Sequence, residues 1–328
     1  MNSSPSRDPV QIDRHTWLID TRLNRPSHTG CYLLRSGDEL AFVDCGASTS
    51  VPRLLDALER LGLAAAQVRW ILPTHVHLDH AGGAGRLLGH CPDAVLATHY
   101  KGLPHMVEPS RLQQGAINVY GEEVFHGTFG ELEPVPQDRS LALENGQILP
   151  LGDTELLFIE TPGHANHHGC FLDQRTGNLF TGDTFGLHYR ELDGREDDPF
   201  LLATTTPVAF DPDAWFDSLD RMMALQPNRA CLTHFGALPE PGRLAARLRE
   251  SIETHVQIAL AEESREVEGR LERLRWALEQ AILAQLARHN PLLEPASARE
   301  LLGIDLELNA QGLSVWLARR ARKREKSL

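Results

Sequence analysis

The stretch Thr74-His75-Val76-His77-Leu78-Asp79-His80 sets four potential metal ligands, His75, His77, Asp79 and His80, within six residues. Imidazole and carboxylate together suit a borderline divalent cation such as zinc, and also iron or manganese. The stretch directly follows the apolar run Trp70-Ile71-Leu72, so a strand ends by presenting these groups at its mouth. On a continued strand His75 and His77 would share a face but lie too far apart for one small ion, so the chain must turn here. Gly82 and Gly83 are expected to ease that turn. A polar loop with incidental histidines is the bland alternative, and the density of ligands just after a strand argues against it.

Other strand ends carry the same kinds of group. Glu155–Glu160 runs into Thr161-Pro162-Gly163-His164, Asn178–Thr181 into Gly182-Asp183-Thr184, and Ala230–Thr233 into His234-Phe235-Gly236. The full set is His75, His77, Asp79, His80, His164, Asp183 and His234, which matches two adjacent divalent metal ions. Layered α/β folds place their sites at strand ends.

The elements that must position these groups are short strands alternating with helices. Thr16–Asp20, Cys31–Leu34 and a run from Glu39 into Asp44-Cys45-Gly46 read as strands, ahead of a helix opened by Ser50 and Pro52 with Leu54, Leu55, Leu58 and Leu61 at helical spacing. Arg69–Pro73 is the strand before the cluster, Ala84–Leu88 a short helix and Ala94–Thr98 another strand. Between Tyr100 and Arg139 repeated Pro and Gly break every run, which leaves two readings open: a functional wall or lid, or a helical excursion. Asp211-Pro212 starts a helix with a capping carboxylate and Pro at the first helical position.

After Pro239 the texture is helical. Leu244, Leu248, Ile252, Val256 and Leu260 form one stripe, and Val267, Leu271, Leu274, Leu278 and Ile282 a second, joined near Glu263 to Arg265. A capping box at Ser297-Ala298-Arg299-Glu300 predicts a short helix to Leu302, and a last helix covers Leu313 to Arg322. The expected domains are therefore 1–238, binding metal, and 239–328, a C-terminal helical domain. Trp276 and Trp316 leave aromatic surface that a single hairpin does not cover, so these helices are expected to join two chains in a homodimer and to narrow access to the metal mouth. A monomer capped by its own helices is the alternative.

Hydrophobic content of 41% and charged content of 23% are those of a globular chain, and a formal charge of −13 argues against a general nucleic-acid binder. Met1 to Arg14 is polar and reads as a disordered lead-in without the apolar region of a secretory signal. No run is apolar enough to span a bilayer. Five scattered cysteines, odd in number and without C-x-x-C spacing, fit a reducing compartment, so the expected location is cytoplasmic.

The ordered set of His-x-His-x-Asp-His at 75–80, Thr-Pro-Gly-His at 161–164, Thr-Gly-Asp at 181–183 and the late His234 resembles the metallo-β-lactamase fold superfamily over about residues 15 to 237. The resemblance implies an α/β fold, the four-layer αββα metallo-β-lactamase sandwich, here with a C-terminal α-helical module. It implies that His75, His77 and His164 hold one ion, that Asp79, His80 and His234 hold the other, and that Asp183 bridges them. Asp44 matches the family's early Asp that steadies the ligand loop. Asp79 is also a candidate proton acceptor, and Tyr189 is similar to a tyrosine that assists lactone-cleaving relatives, at a different spacing. His167 and His168 stay open between a ligand-orienting or substrate-touching role and a surface turn.

The activity implied is hydrolysis of an ester, thioester or lactone of a small molecule at a dinuclear site, most like the hydroxyacylglutathione-hydrolase and lactonase branch. Zinc is the expected metal, with iron or manganese next. A mononuclear iron enzyme acting on a persulfide is the alternative from another reaction class, and a signalling protein with a vestigial site is a third. The expected partner is a small molecule, with no nucleic acid and no membrane.

Overall fold

The computed structural model of the chain describes residues 8–195 and 198–326. By internal contacts the chain divides into two compact units. The first comprises Met1–Glu160, His167–Gly182 and Pro227–Pro239, and the second Thr161–Asn166, Asp183–Gln226 and Glu240–Leu328.

The described residues of the first unit form thirteen strands: β1 Val10–Asp13, β2 Thr16–Asp20, β3 Gly30–Ser36, β4 Glu39–Val43, β5 Val68–Leu72, β6 Val95–His99, β7 Ser140–Leu143, β8 Ile148–Leu151, β9 Thr154–Glu160, β10 Gly169–Asp173, β11 Asn178–Gly182, β12 Arg229–Leu232 and β13 Gly236–Pro239. One sheet runs β1-β2-β3-β4-β5-β6-β7, antiparallel as far as β4 and parallel beyond it. The other runs β13-β12-β11-β10-β9-β8, with β11 and β12 its parallel pair.

Period-two alternation explains how the sheets pack. Tyr32, Leu34, Ala41, Val43 and Leu72 of the first sheet share a buried cluster with Leu156, Phe158, Phe171, Phe180 and Cys231 of the second. The intervening Leu33, Phe42 and Ile71 point to the opposite face, into a cluster with helices α1 (Val51–Arg60), α2 (Leu78–Ala81) and α3 (Ala84–His90). Trp70 Nε1 donates to the Pro150 carbonyl at 2.7 Å, and Tyr32 Oη to the Leu232 carbonyl at 2.7 Å, so the large rings between the sheets also satisfy their polar atoms. Fully burying one such aromatic contributes about 1.5–3 kcal/mol.

In this unit one expectation is revised and one open stretch takes shape. Val10–Asp13, read as lead-in, is an edge strand paired with β2, while residues 1–7 lie outside the described set. The open stretch between Tyr100 and Arg139 is a helical excursion: α4 Leu103–Val107, α5 Ser110–Tyr120, α6 Glu122–Val124 and a π turn at Phe125–Phe129. Phe125 and Phe129 anchor it in a cluster with Leu23, Ala47 and Leu78.

The second unit carries α7 Pro212–Ala224, α8 Pro241–Ala261, α9 Arg270–His289, α10 Pro295–Leu301 and α11 Gly303–Glu325. Asp211 caps α7 by accepting from the Ala214 amide. The capping box expected at Ser297 does not form: Pro295 opens α10 two residues earlier, since its missing N–H costs nothing at a helix start. The last helix begins at Gly303 rather than Leu313 and spans 23 residues, because Leu306, Ala310, Leu313 and Leu317 make a continuous buried stripe. Glu263 pairs with Arg320 and Arg324, so the basic end is partly neutralised within the unit. All five cysteines are buried and none is in a disulfide, and none of the described helices is long and apolar enough to cross a membrane.

Candidate metal centre

Strand β5 stops at Leu72, and the chain turns through Thr74–His77 into the single turn of α2, with His77 as its extended N-cap. That reversal gathers the imidazoles. The ring of His75 lies 4.4 Å from that of His77 and 4.0 Å from that of His80, centroid to centroid. The glycines serve a different purpose from the one expected. Gly83 has ordinary helical dihedrals, but a Cβ there would stand 2.8 Å from the Ala47 carbonyl oxygen and 2.9 Å from that of Cys45. It lets the ligand loop pack directly on the backbone after β4.

Asp44 ties the first unit's strand ends together. It sits in the left-handed region at φ 55°, where Asp is tolerated, and is almost wholly buried. Its carboxylate accepts from the Thr74 amide at 2.8 Å, the Thr74 hydroxyl at 3.0 Å, the Thr233 hydroxyl at 2.6 Å and His80 Nδ1 at 2.8 Å. An ionised carboxylate only accepts, so His80 carries its proton on Nδ1 and keeps Nε2 as the lone-pair atom. His234 is held the same way: Nδ1 donates to the His28 carbonyl at 2.7 Å, leaving Nε2 at 3.1 Å from Asp79 Oδ2. His80 Nε2 is 3.6 Å from the same oxygen. Asp79, His80 and His234 thus each offer one ligand atom, all within 4.8 Å of one another, a spacing that could hold a metal ion.

His167 lies half-buried in a turn with the exposed Asn166, and His168 turns inward. His168 is buried, with its ring stacked at 4.8 Å on His75, and His167 stacks at 6.2 Å and faces the Val76 amide from 3.5 Å.

In the second unit His164 repeats the pattern. Its Nδ1 donates to the Thr204 carbonyl at 2.7 Å, and its Nε2 lies 3.4 Å from Asp183 Oδ2. Tyr189 is buried, and its hydroxyl donates to Asp305 at 3.3 Å.

The sequence gives no sign of the other groups that orient these side chains: the hydroxyls of Thr74 and Thr233 and the carbonyls of His28 and Thr204. A carbonyl belongs to every residue type, so it leaves no compositional signal, and only the threonines beside the motifs could have drawn notice.

The family model described as the metallo-beta-lactamase superfamily matches residues 25–234. Among curated relatives, the metallo-beta-lactamase fold-containing protein of Sulfurisphaera tokodaii is 29% identical over 222 residues, which cover 66% of this chain and 76% of that protein. A thioesterase of Emericella nidulans is 27% identical over 160 residues, 47% of this chain but 35% of its own length. An atrochrysone carboxyl ACP thioesterase of Aspergillus fumigatus is 28% identical over 48% of this chain and 39% of its own length. This chain thus spans little more than a third of either thioesterase. The crystal structure of an archaeal superfamily protein from Sulfolobus tokodaii matches with a TM-score of 0.62 at 23% identity, covering 92% of this chain and 98% of that one.

Proposed function

The chain belongs to the metallo-beta-lactamase superfamily, and from that membership we propose that it is a metal-dependent hydrolase opening an ester or thioester of a small molecule at a dinuclear site. One observation carries the reading: His80, His234 and His164 each donate Nδ1 to a fixed oxygen acceptor and turn Nε2 toward a carboxylate. A neutral imidazole so oriented is a ready metal ligand, and the mixed nitrogen and oxygen donor set suits zinc. The residues present therefore fit the ions that the family implies.

In this reading His75, His77 and His164 would hold one ion, Asp79, His80 and His234 the second, and Asp183 would serve both. Bound ions of this kind supply Lewis acidity and a water acidic enough to serve as nucleophile near neutral pH. Asp79 is assigned as a ligand rather than a base, because its Oδ2 stands among the donor nitrogens. Asp44 holds His80 in its tautomer and keeps the ligand loop against β4 and β12. The names of two relatives as thioesterases favour a thioester over a lactone. Tyr189 has no part in this reading, since its hydroxyl is directed to Asp305. A homodimer is kept as part of the proposal, with Trp276 of α9 offering exposed aromatic surface.

Metal analysis of the purified chain, followed by turnover of acyl thioesters, esters and lactones, tests the proposal. Two ions per chain and thioester cleavage are expected. His75→Ala and His164→Ala should each lower metal content and abolish turnover while leaving the far-ultraviolet circular dichroism intact. Full activity in either variant removes the site assignment. A single iron with oxygen consumption replaces hydrolysis by persulfide oxidation.

A further inference from the structure

We infer that Asn309, on the C-terminal helix α11, is a positioning residue for the proposed metal ligand His164, so that the helical module helps to orient that imidazole. The inference rests on the reading of His164 as a ligand and goes beyond it in giving the C-terminal helices a task.

The path consists of a few buried groups within the second unit. His164 Nδ1 donates to the Thr204 carbonyl at 2.7 Å, and the Thr204 hydroxyl also approaches Nδ1, at 3.1 Å, while reaching the Asp183 carbonyl at 3.3 Å. Thr204 therefore touches both His164 and the backbone of Asp183. Its own peptide is held on either side by one side chain. Asn309 Oδ1 accepts from the Thr205 amide at 2.6 Å, and Asn309 Nδ2 donates to the Ala203 carbonyl at 3.0 Å. The amide side chain thus takes the place of a neighbouring strand, pairing with the residues before and after Thr204. With those two groups clamped, the Thr204 peptide cannot rotate its carbonyl away from His164.

Two further features hold Asn309 in that orientation. His255 of α8, fully buried, donates Nδ1 to the Ser251 carbonyl at 2.7 Å, which leaves Nε2 as an acceptor facing Asn309 Nδ2 at 3.5 Å. An acceptor there favours the amide nitrogen on that side, as the clamp requires. The Ser251 hydroxyl accepts from the Ala203 amide at 3.0 Å, so α8 grips the same loop. The second feature is Gly312, one turn beyond Asn309. A Cβ at Gly312 would fall 1.4 Å from the Thr205 carbonyl oxygen, so only glycine lets α11 approach this closely. The hydrogen bonds could hold a loop for stability alone. Their convergence on the residue whose carbonyl receives the His164 proton is what points to the metal site.

The test measures zinc affinity of the full-length, metal-loaded protein by competition with a chromophoric chelator. Asn309→Asp keeps the acceptor for Thr205 and loses the donor to Ala203, and Asn309→Ala loses both. Affinity per folded chain should fall about 10- to 100-fold, as expected when a partner that orients a metal-bound histidine is lost. Thr205→Val, a milder change that removes only the hydroxyl contacts to Asn309, keeps the test available should the others fail to fold; an intermediate loss is expected. Ile282→Val, in the buried stripe of α9 and off this path, serves as the control for instability: it should lower Tm without changing zinc affinity. Folded Asn309 and Thr205 variants that bind zinc as tightly as the parent overturn the inference. If His164→Ala itself leaves zinc binding unchanged, the ligand assignment is what fails.

Discussion

Asp44 shows how much a single carboxylate can organise. Four donors converge on it, from the ligand loop, from His80 and from Thr233 after β12. Asp44→Ala leaves those buried donors without an acceptor, each at a cost of about 1–3 kcal/mol. The variant should show a Tm well below the parent's and zinc affinity reduced at least tenfold, read by chelator competition; parental affinity would show that His80 holds its tautomer by other means. Asp183 makes a separate prediction. As the shared ligand of the proposed pair, Asp183→Asn should lower metal stoichiometry below that of the parent, and an unchanged count by elemental analysis would end its bridging role.

At the scale of elements, α8 contains a group whose protonation opposes folding. Burial pushes the His255 imidazole down to about 4 from the ordinary value of 6.5, against the weaker opposing effect of its bond to the Ser251 carbonyl. Its folded value is below its unfolded one, so as pH falls the unfolded chain binds the proton first. This contribution to stability is complete above about 6.5, is lost progressively toward about 4, and amounts to roughly 3 kcal/mol. Urea titrations across that window should show the decline, and His255→Gln should flatten it; an equally steep profile in the variant assigns the decline to other groups. The start of α7 is simpler. Asp211→Ala removes the cap on the Ala214 amide and should cost about 1 kcal/mol in the same titrations.

Ions that bind only the folded chain must stabilise it. Removing metal with a chelator should lower Tm by several degrees, and restoring zinc should reverse the shift; a Tm indifferent to metal is incompatible with ordered ligands. Sedimentation of the intact chain examines association, where a monomer at all concentrations would remove the homodimer from the proposal. The two compact units also bear on how the chain is divided. Thr161–Asn166 and Asp183–Gln226, which carry His164 and Asp183, group by contacts with the C-terminal helices. A boundary drawn along the sequence cannot express that grouping, because it depends on packing between distant segments.

The family and the candidate ligands were legible in the chain itself, since metal chemistry demands particular side chains and those side chains stand in short motifs at strand ends. Strands such as β2, β9 and β12 were equally legible, because their apolar runs are bounded by turn residues. Short β8, with Pro150 inside it, and β10, beginning at Gly169, lacked that local signal and exist through their pairing with β9. The length of α11 was hidden for a related reason: Gly303 and Gly312 weaken its propensity, and burial against its own unit overrides them. The orientation of each imidazole, by contrast, was set by contacts made on folding. The acceptors at His80, His234 and His164 are Asp44, the His28 carbonyl and the Thr204 carbonyl, each far away in sequence. Two of the three are backbone atoms that any residue would supply, so folding alone determines which carbonyl receives the proton and which nitrogen is left for a metal.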